Sequence, residues 1–190
     1  MAHKLLCTIL FVVLLAGGLW QIGQSVYIYT KAELAQTLIL NAWQESIRQH
    51  QPVKPWSWAD TWPVARLMVS RLDVDLVVLA GDNGRTLAFG PGHRFGSPFP
   101  GEIGNSLIAG HRDTHFRFLK ELVPGEEILV QTKNGEIYAY RVNLTEVIHE
   151  STAIDNMIDH RQLTLVTCYP FESIVPGGPL RYVVYATEKT

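Results

Sequence analysis

From residue 5 to residue 29 the chain carries no charged side chain, reading LLCTILFVVLLAGGLWQIGQSVYIY between Lys4 and Lys31. A helix rises about 1.5 Å per residue, so a run of roughly 20 apolar residues already crosses the hydrocarbon layer of a bilayer. Trp20, Tyr27 and Tyr29 stand where interfacial aromatics are expected. The rival is a cleaved signal peptide, because Ala16-Gly17-Gly18 is a passable small-residue cleavage site. The expectation is an uncleaved anchor. Cys7 lies at the start of the run, so no lipobox cysteine follows it. The positive charge is thin, Lys4 and the amino terminus against Lys31 and Arg48, and it favours an amino terminus in the cytoplasm.

Beyond the apolar run, Thr30-Lys31-Ala32-Glu33 reads as a capping box opening a second helix. Ala35, Leu38, Ile39, Ala42, Trp43 and Ile47 recur at helical spacing, and Pro52 and Pro55 bring that helix to an end. A stalk helix packed on the domain is the expectation. The segment WSWADTWP follows with Trp56, Trp58 and Trp62, expected to pack beneath the domain rather than lie on a membrane surface.

From Pro63 the pattern changes to short apolar or alternating runs, at residues 64–69, 74–79, 107–109, 128–132, 137–148, 163–167 and 182–187. Turn signals separate them: Gly81-Asp82-Asn83-Gly84, Pro124-Gly125 and Lys133-Asn134-Gly135. The last predicts a hairpin, since Asn-Gly accepts positive φ. Helix is expected only over 115–122 and 152–157. Many short strands with glycine-rich turns imply an all-β domain, either a closed barrel or a sandwich. No repeat or linker interrupts residues 63–190, so the expected organisation is anchor 1–29, helical and Trp-rich spacer 30–62, and barrel 63–190. The 47% hydrophobic content is enough for a core, and two cysteines cannot form a disulfide framework. Sixteen Lys and Arg against eighteen Asp and Glu leave a formal charge of −2, which argues against a nucleic-acid partner.

Three strand ends carry candidate chemistry. Cys168 closes TLVTC, is the one cysteine outside the apolar run, and sits just before Tyr169-Pro170. In isolation a lone cysteine is more often buried and inert than reactive, but a strand end beside a turn is where a nucleophile meets substrate. His111 ends LIAGH, and a neutral imidazole there can carry a proton near neutral pH. Arg181 opens RYVVYA, either as a solvated strand end or as a guanidinium aimed at an oxyanion. Cysteine, histidine and a cation together meet the demands of acyl transfer. His111 and His115 also have the i, i+4 spacing of helical metal ligands. No zincin-type Glu follows and no further ligands cluster nearby, so no metal and no cofactor are expected. His93, in GPGHRFG, reads as a loop residue without assigned chemistry.

TLVTC at 164–168 resembles the TLxTC signature of sortases. LIAGHRDTHFRFL resembles their histidine segment, and Arg181 falls at the family's downstream arginine. The approach LAFGPGHRFGSPFPGEIGNSLIAGH is similar to that of shorter-looped members, and the resemblance runs in order from Pro63 to Ala186. Anchor, spacer and Trp-rich segment look most like the sortases of Gram-negative proteobacteria. The resemblance implies a closed eight-stranded β-barrel and a cysteine transpeptidase of the cell envelope, held in the cytoplasmic membrane by a single span with the barrel on the periplasmic side. Cys168 would attack the Thr–Gly bond of an LPxTG-like sorting signal, His111 would shuttle the amine's proton, and Arg181 would hold the oxyanion. The amine acceptor is not legible. Residues 169–180 leave no room for the helix-bearing insertion of some classes, and the FESIVPGGP stretch among them is expected to wall the peptide groove. Some members bind calcium, but Glu102 and Glu172 are isolated, so no metal is expected. Two alternatives remain: a membrane-anchored peptide-binding module, and a thiol protease that releases the acyl group to water.

Overall fold

A computed structural model describes residues 2–173, 175 and 177–189. The chain divides into two compact units, Met1–Thr37 and Leu38–Thr190. One helix, α1 (Ala2–Gln49), begins in the first and ends in the second. In the first unit Leu10, Phe11, Leu14 and Leu19 are exposed, as a lipid-facing helix requires, and α1 is long and apolar enough to cross a membrane. The hydroxyls of Ser25 and Thr30 donate back to the carbonyls of Gln21 (3.0 Å) and Val26 (2.8 Å), which satisfies them within the helix. Thr30 is therefore not an N-cap. The helix runs straight through TKAE, and the expected break between anchor and spacer helices is absent. It stops at Gln49, where His50 turns left-handed (φ 53°) two residues before Pro52.

In the second unit Ile39, Ala42, Trp43 and Ser46 form a buried stripe at helical spacing. The Ser46 hydroxyl donates to the Ala42 carbonyl and accepts from the Val53 amide, tying the helix end to the chain that leaves it. Trp56 packs edge-on against Phe89, and Trp62 lies against the core and Phe95. Trp58 does not pack, being 83% exposed.

Eight strands then close into a barrel: β1 (Pro63–Val69), β2 (Val74–Ala80), β3 (Gly92–His93), β4 (Gly104–Ala109), β5 (Glu127–Thr132), β6 (Ile137–His149), β7 (Arg161–Cys168) and β8 (Leu180–Glu188). Their order around the wall is β1-β2-β3-β4-β7-β8-β6-β5, with β4 and β7 parallel and β7 and β8 antiparallel. Alternation along each strand sends Leu67, Val78, Ile108, Val130, Tyr140, Leu163, Leu165, Val184 and Ala186 inward, where Phe116 and Leu119 complete the core. β7 is buried without a break from Leu163 to Thr167 because its outer face is covered too. Leu107, Val166 and Val183 form a second cluster there with Ile148, Ile154 and Tyr185.

The Asn-Gly hairpin joins β5 to β6, but Gly135 alone takes the positive φ (86°). Paired bonds between Thr132 and both Gly135 and Glu136 make it a three-residue turn. Two helical expectations change. Over 115–122 a short 3₁₀ segment forms at Arg117–Glu121, and 152–157 is not helical. The carbonyls of Asp155 and Asn156 instead receive the side-chain and backbone N–H groups of Asn105, which lays the β6–β7 connection along β4. A one-turn helix, α2 (Gly84–Leu87), capped by Asn83, and the two-residue β3 are additions. His93 belongs to β3, buried and stacked on Phe99, with Nε2 2.9 Å from the Pro98 carbonyl. Burial pushes its pKa below the ordinary 6.5.

Candidate active site

Register pairs two of the candidate residues, and the third follows the end of the strand beside them. Cys168 is the last residue of β7 and pairs directly across to Arg181 on β8. On its other side β7 pairs with β4 up to Val166 opposite Ala109, and the Gly110 amide donates to the Val166 carbonyl at 3.1 Å. His111 follows. Side-chain alternation sets the face: Val166 and Val183 belong to the outer cluster, so Cys168 and Arg181, two residues along each strand, share that outer face. β4 ends at Ala109, and His111 lies two residues beyond it, its carbonyl accepting from the Thr114 and Phe116 amides at the start of a turn. The outer cluster is thus buried beside the Cys168–Arg181 pair. Tyr185 packs on that cluster, and burial together with the Glu146 carboxylate pushes its phenol up to about 12.

The two threonines of TLVTC hold β4 against β7. The Thr164 hydroxyl donates to Asn105 Oδ1 and that of Thr167 to the Gly110 carbonyl, both at 2.7 Å and both buried. Past the last main-chain rung, the Thr167 hydroxyl makes the next bond between the two strand ends. Gly110 has a separate constraint: a Cβ there would come within 2.6 Å of the fully buried Phe116 ring. The glycine before the histidine is therefore set by the ring packed over it.

Cys168 is partly exposed and is not disulfide-bonded; His111 is exposed. Arg181 is already engaged. Its Nη1 donates to the carbonyls of Gly178 (2.6 Å) and Leu180 (2.9 Å), and its Nη2 to the Glu150 carboxylate (2.5 Å). A guanidinium has five N–H donors, so the remainder stay available to an incoming oxygen. Single-sequence reading did not find Glu150 or Arg112. Arg112 follows His111, is 3% exposed, and donates to the carbonyls of Pro170, Ser173 and Val175 in the β7–β8 loop. The only available signal for it is adjacency to the histidine. Ile174 and Pro176 of the expected groove wall lie outside the described residues.

The segment HRDTH is a run of turns rather than a helix, so His111 and His115 do not present an i, i+4 ligand face. His115 is partly buried, and burial with the neighbouring His111 lowers its pKa. Glu102 and Glu172 are separately engaged, Glu102 accepting from the Phe99 amide and Glu172 pairing with Lys120 at 3.2 Å.

A family model for the sortase domain matches residues 67–189. The chain is 32% identical over 126 residues to Sortase D of Bacillus subtilis (strain 168), covering 65% of this chain and 63% of that protein. Among solved structures it resembles a Clostridium perfringens Sortase D5 transpeptidase, with TM-score 0.66, 24% identity, and coverage of 83% of this chain and 99% of that one. Sortase A from Corynebacterium diphtheriae gives TM-score 0.61 at 24% identity, covering 70% of this chain and 63% of that one. Sortase C-1 from Actinomyces oris gives 0.59 at 27%, with coverage of 67% and 75%. The chain thus spans just under two thirds of the length of the Bacillus relative and of the Corynebacterium chain.

Proposed function

The chain belongs to the sortase family, and from that premise we propose that it is a membrane-anchored cysteine transpeptidase cleaving an LPxTG-like sorting signal between Thr and Gly. Residues 1–29 serve as the anchor, 30–62 as the spacer and 63–190 as the catalytic barrel. The protein is of the proteobacterial type, spanning the cytoplasmic membrane once with the barrel on the periplasmic side. The apolar length of α1 supports the anchor, and the short β7–β8 connection supports the subtype.

The observation that carries the reading is the Cys168–Arg181 cross-strand pair, with His111 following Gly110, which is bonded to β7 through both its amide and its carbonyl. The sorting peptide reaches Cys168 across the outer face of the wall, where the partly buried Ile148, Ile154 and Tyr185 cover Leu107, Val166 and Val183. The Cys168 thiol passes its proton to His111 and its sulfur attacks the threonine carbonyl carbon, forming a C–S bond and placing negative charge on the oxygen. The free N–H groups of Arg181 receive that charge. Collapse of the intermediate breaks the C–N bond while His111 gives its proton to the departing glycine amine, leaving a thioester. An amine acceptor then attacks the thioester, His111 takes its proton, and the C–S bond breaks. Water in the acceptor's place gives hydrolysis by the same steps.

The test is an LPxTG-type peptide incubated with the full-length protein in detergent, with and without an amine acceptor, and followed by mass spectrometry. Wild type cleaves at Thr–Gly and forms the amide adduct. Cys168→Ala forms no acyl-enzyme, and Arg181→Ala loses about 10²–10³ in rate, as for a missing oxyanion donor. Cleavage that survives in Cys168→Ala refutes the reading. Binding without cleavage by the wild type replaces it with a peptide-binding module.

A further inference from the structure

Arg112 is, among the described residues, the one lysine, arginine, aspartate or glutamate that is fully buried. Its neighbour Asp113 is 66% exposed and lies 3.3 Å from Nε, a weak counter-ion for a charge taken out of water. Desolvating an ion costs several kcal/mol unless its donors are closely matched. Here the match is made by main-chain oxygens. Nη1 reaches the Pro170 carbonyl at 2.8 Å, and Nη2 reaches those of Ser173 (2.8 Å) and Val175 (2.9 Å). Carbonyls from three positions of one loop converge on a single planar fork.

The placement of this fork gives it a role. Arg112 is bonded in sequence to His111, while the loop it grips begins one residue after Cys168. Phe171 and Tyr169 brace the same loop on Tyr182, the strand neighbour of Arg181. The clamp therefore joins the end of β4 to the end of β7 from above, as Thr167 joins them from within the wall.

We propose that Arg112 is a positioning residue. By holding the β7–β8 loop through three carbonyls it fixes the separation of His111 and Cys168 and keeps the loop in place as one side of the peptide groove. It does not touch the reacting atoms. This rests on the transpeptidase reading above, and the clamp can be tested apart from it.

The experiment compares full-length wild type, Arg112→Ala, Arg112→Gln and Arg112→Lys in detergent. Three readouts are taken: peptide kinetics normalised to titratable Cys168 thiol, hydrogen exchange resolved into loop and barrel peptides, and the alkylation rate of Cys168. Arg112→Ala is expected to speed exchange in the loop alone, to raise KM, and to lower kcat/KM by about 10²-fold, the scale of a 1 Å misplacement. Arg112→Lys should keep barrel protection but not restore loop protection, because an ammonium lacks the planar fork. A merely structural role would instead lower the titratable fraction while leaving KM unchanged. Wild-type loop exchange and KM in Arg112→Ala overturn the proposal, as does full recovery of both by Arg112→Lys. If Arg112→Ala loses barrel protection, Arg112→Gln and Arg112→Lys decide by the same criteria. If the wild type cleaves no sorting peptide, the function reading fails, and loop exchange with thiol alkylation still decides the clamp.

Discussion

Replacing Thr167 with valine probes how the two ends of the site are held together. Valine matches threonine in shape, so the change removes one hydroxyl and little volume. That hydroxyl is 2.7 Å from the Gly110 carbonyl, and both residues are buried. Water cannot replace the lost donor without opening the wall beneath Phe116, so the carbonyl is left without its partner. An orphaned buried acceptor costs about 1–3 kcal/mol of stability. Part of that strain must appear at His111, the next residue after Gly110. If 1 kcal/mol of it is expressed in the His111–Cys168 gap, kcat/KM falls about five-fold. The assay pairs urea unfolding of the full-length protein in detergent with peptide cleavage by the same preparation. Thr167→Ser is the control, since it keeps the hydroxyl and loses only a methyl group. Stability within about 0.5 kcal/mol of wild type for the valine variant, the range of a neutral surface change, refutes the argument.

Gly110→Ala forces a Cβ to 2.6 Å from the Phe116 ring and should cost about 1–3 kcal/mol by overpacking, read as a lower urea midpoint; an unchanged midpoint would show that the ring moves freely. Burial holds the folded pKa of His93 below its ordinary 6.5, so the unfolded chain binds more protons as the pH falls through that value. Stability is full above about pH 6.5 and declines below it, and His93→Gln should flatten the fall in Tm from about pH 7 to about pH 5, leaving the part contributed by His115, whose pKa is shifted the same way. An unaltered pH profile in that variant rules out His93 as a source. Glu150→Ala should leave stability within about 1 kcal/mol, as for a partly exposed ion pair, yet lower kcat/KM because Arg181 loses the carboxylate that aims it; equal activity would show that the two loop carbonyls suffice.

The barrel strands are legible because side-chain alternation and turn residues are local signals. β1, β2 and β5 to β8 can be read from the pattern alone, as can the last three residues of β4, and the outer cluster explains why β7 is buried on both faces. What fails is whatever depends on a partner elsewhere. β3 has two residues and no period, and exists because Leu79 and Ala80 pair with it. TKAE has the residues of a capping box, but such a motif cannot tell whether a helix already precedes it. When one does, the upstream turn supplies the carbonyl that the Thr30 hydroxyl uses. The helical expectation over 152–157 fails for the same reason, since Asn105, some fifty residues upstream, takes the carbonyls a helix would have used internally.

The candidate site divides along the same line. Cys168 and Arg181 can each be found at a strand end and His111 just past one, and alternation assigns the face of the first two, but only register makes Cys168 and Arg181 neighbours across thirteen residues of chain. The residues that hold them are harder to read, because each acts through main-chain atoms distant in sequence. Arg112 grips carbonyls about sixty residues downstream, and Glu150 holds an arginine 31 residues away. A carbonyl has no residue type, so a contact made to one leaves no mark on the residue that offers it. Arg181 shows the consequence. An arginine free in solution could point its fork anywhere, whereas one with Nη1 committed to Gly178 and Leu180, and Nη2 to Glu150, presents its remaining N–H groups in one direction. On the proposed mechanism an oxyanion at Cys168, its partner across the strand pair, would meet donors already held in place, and little reorganisation would be left for the reaction to drive.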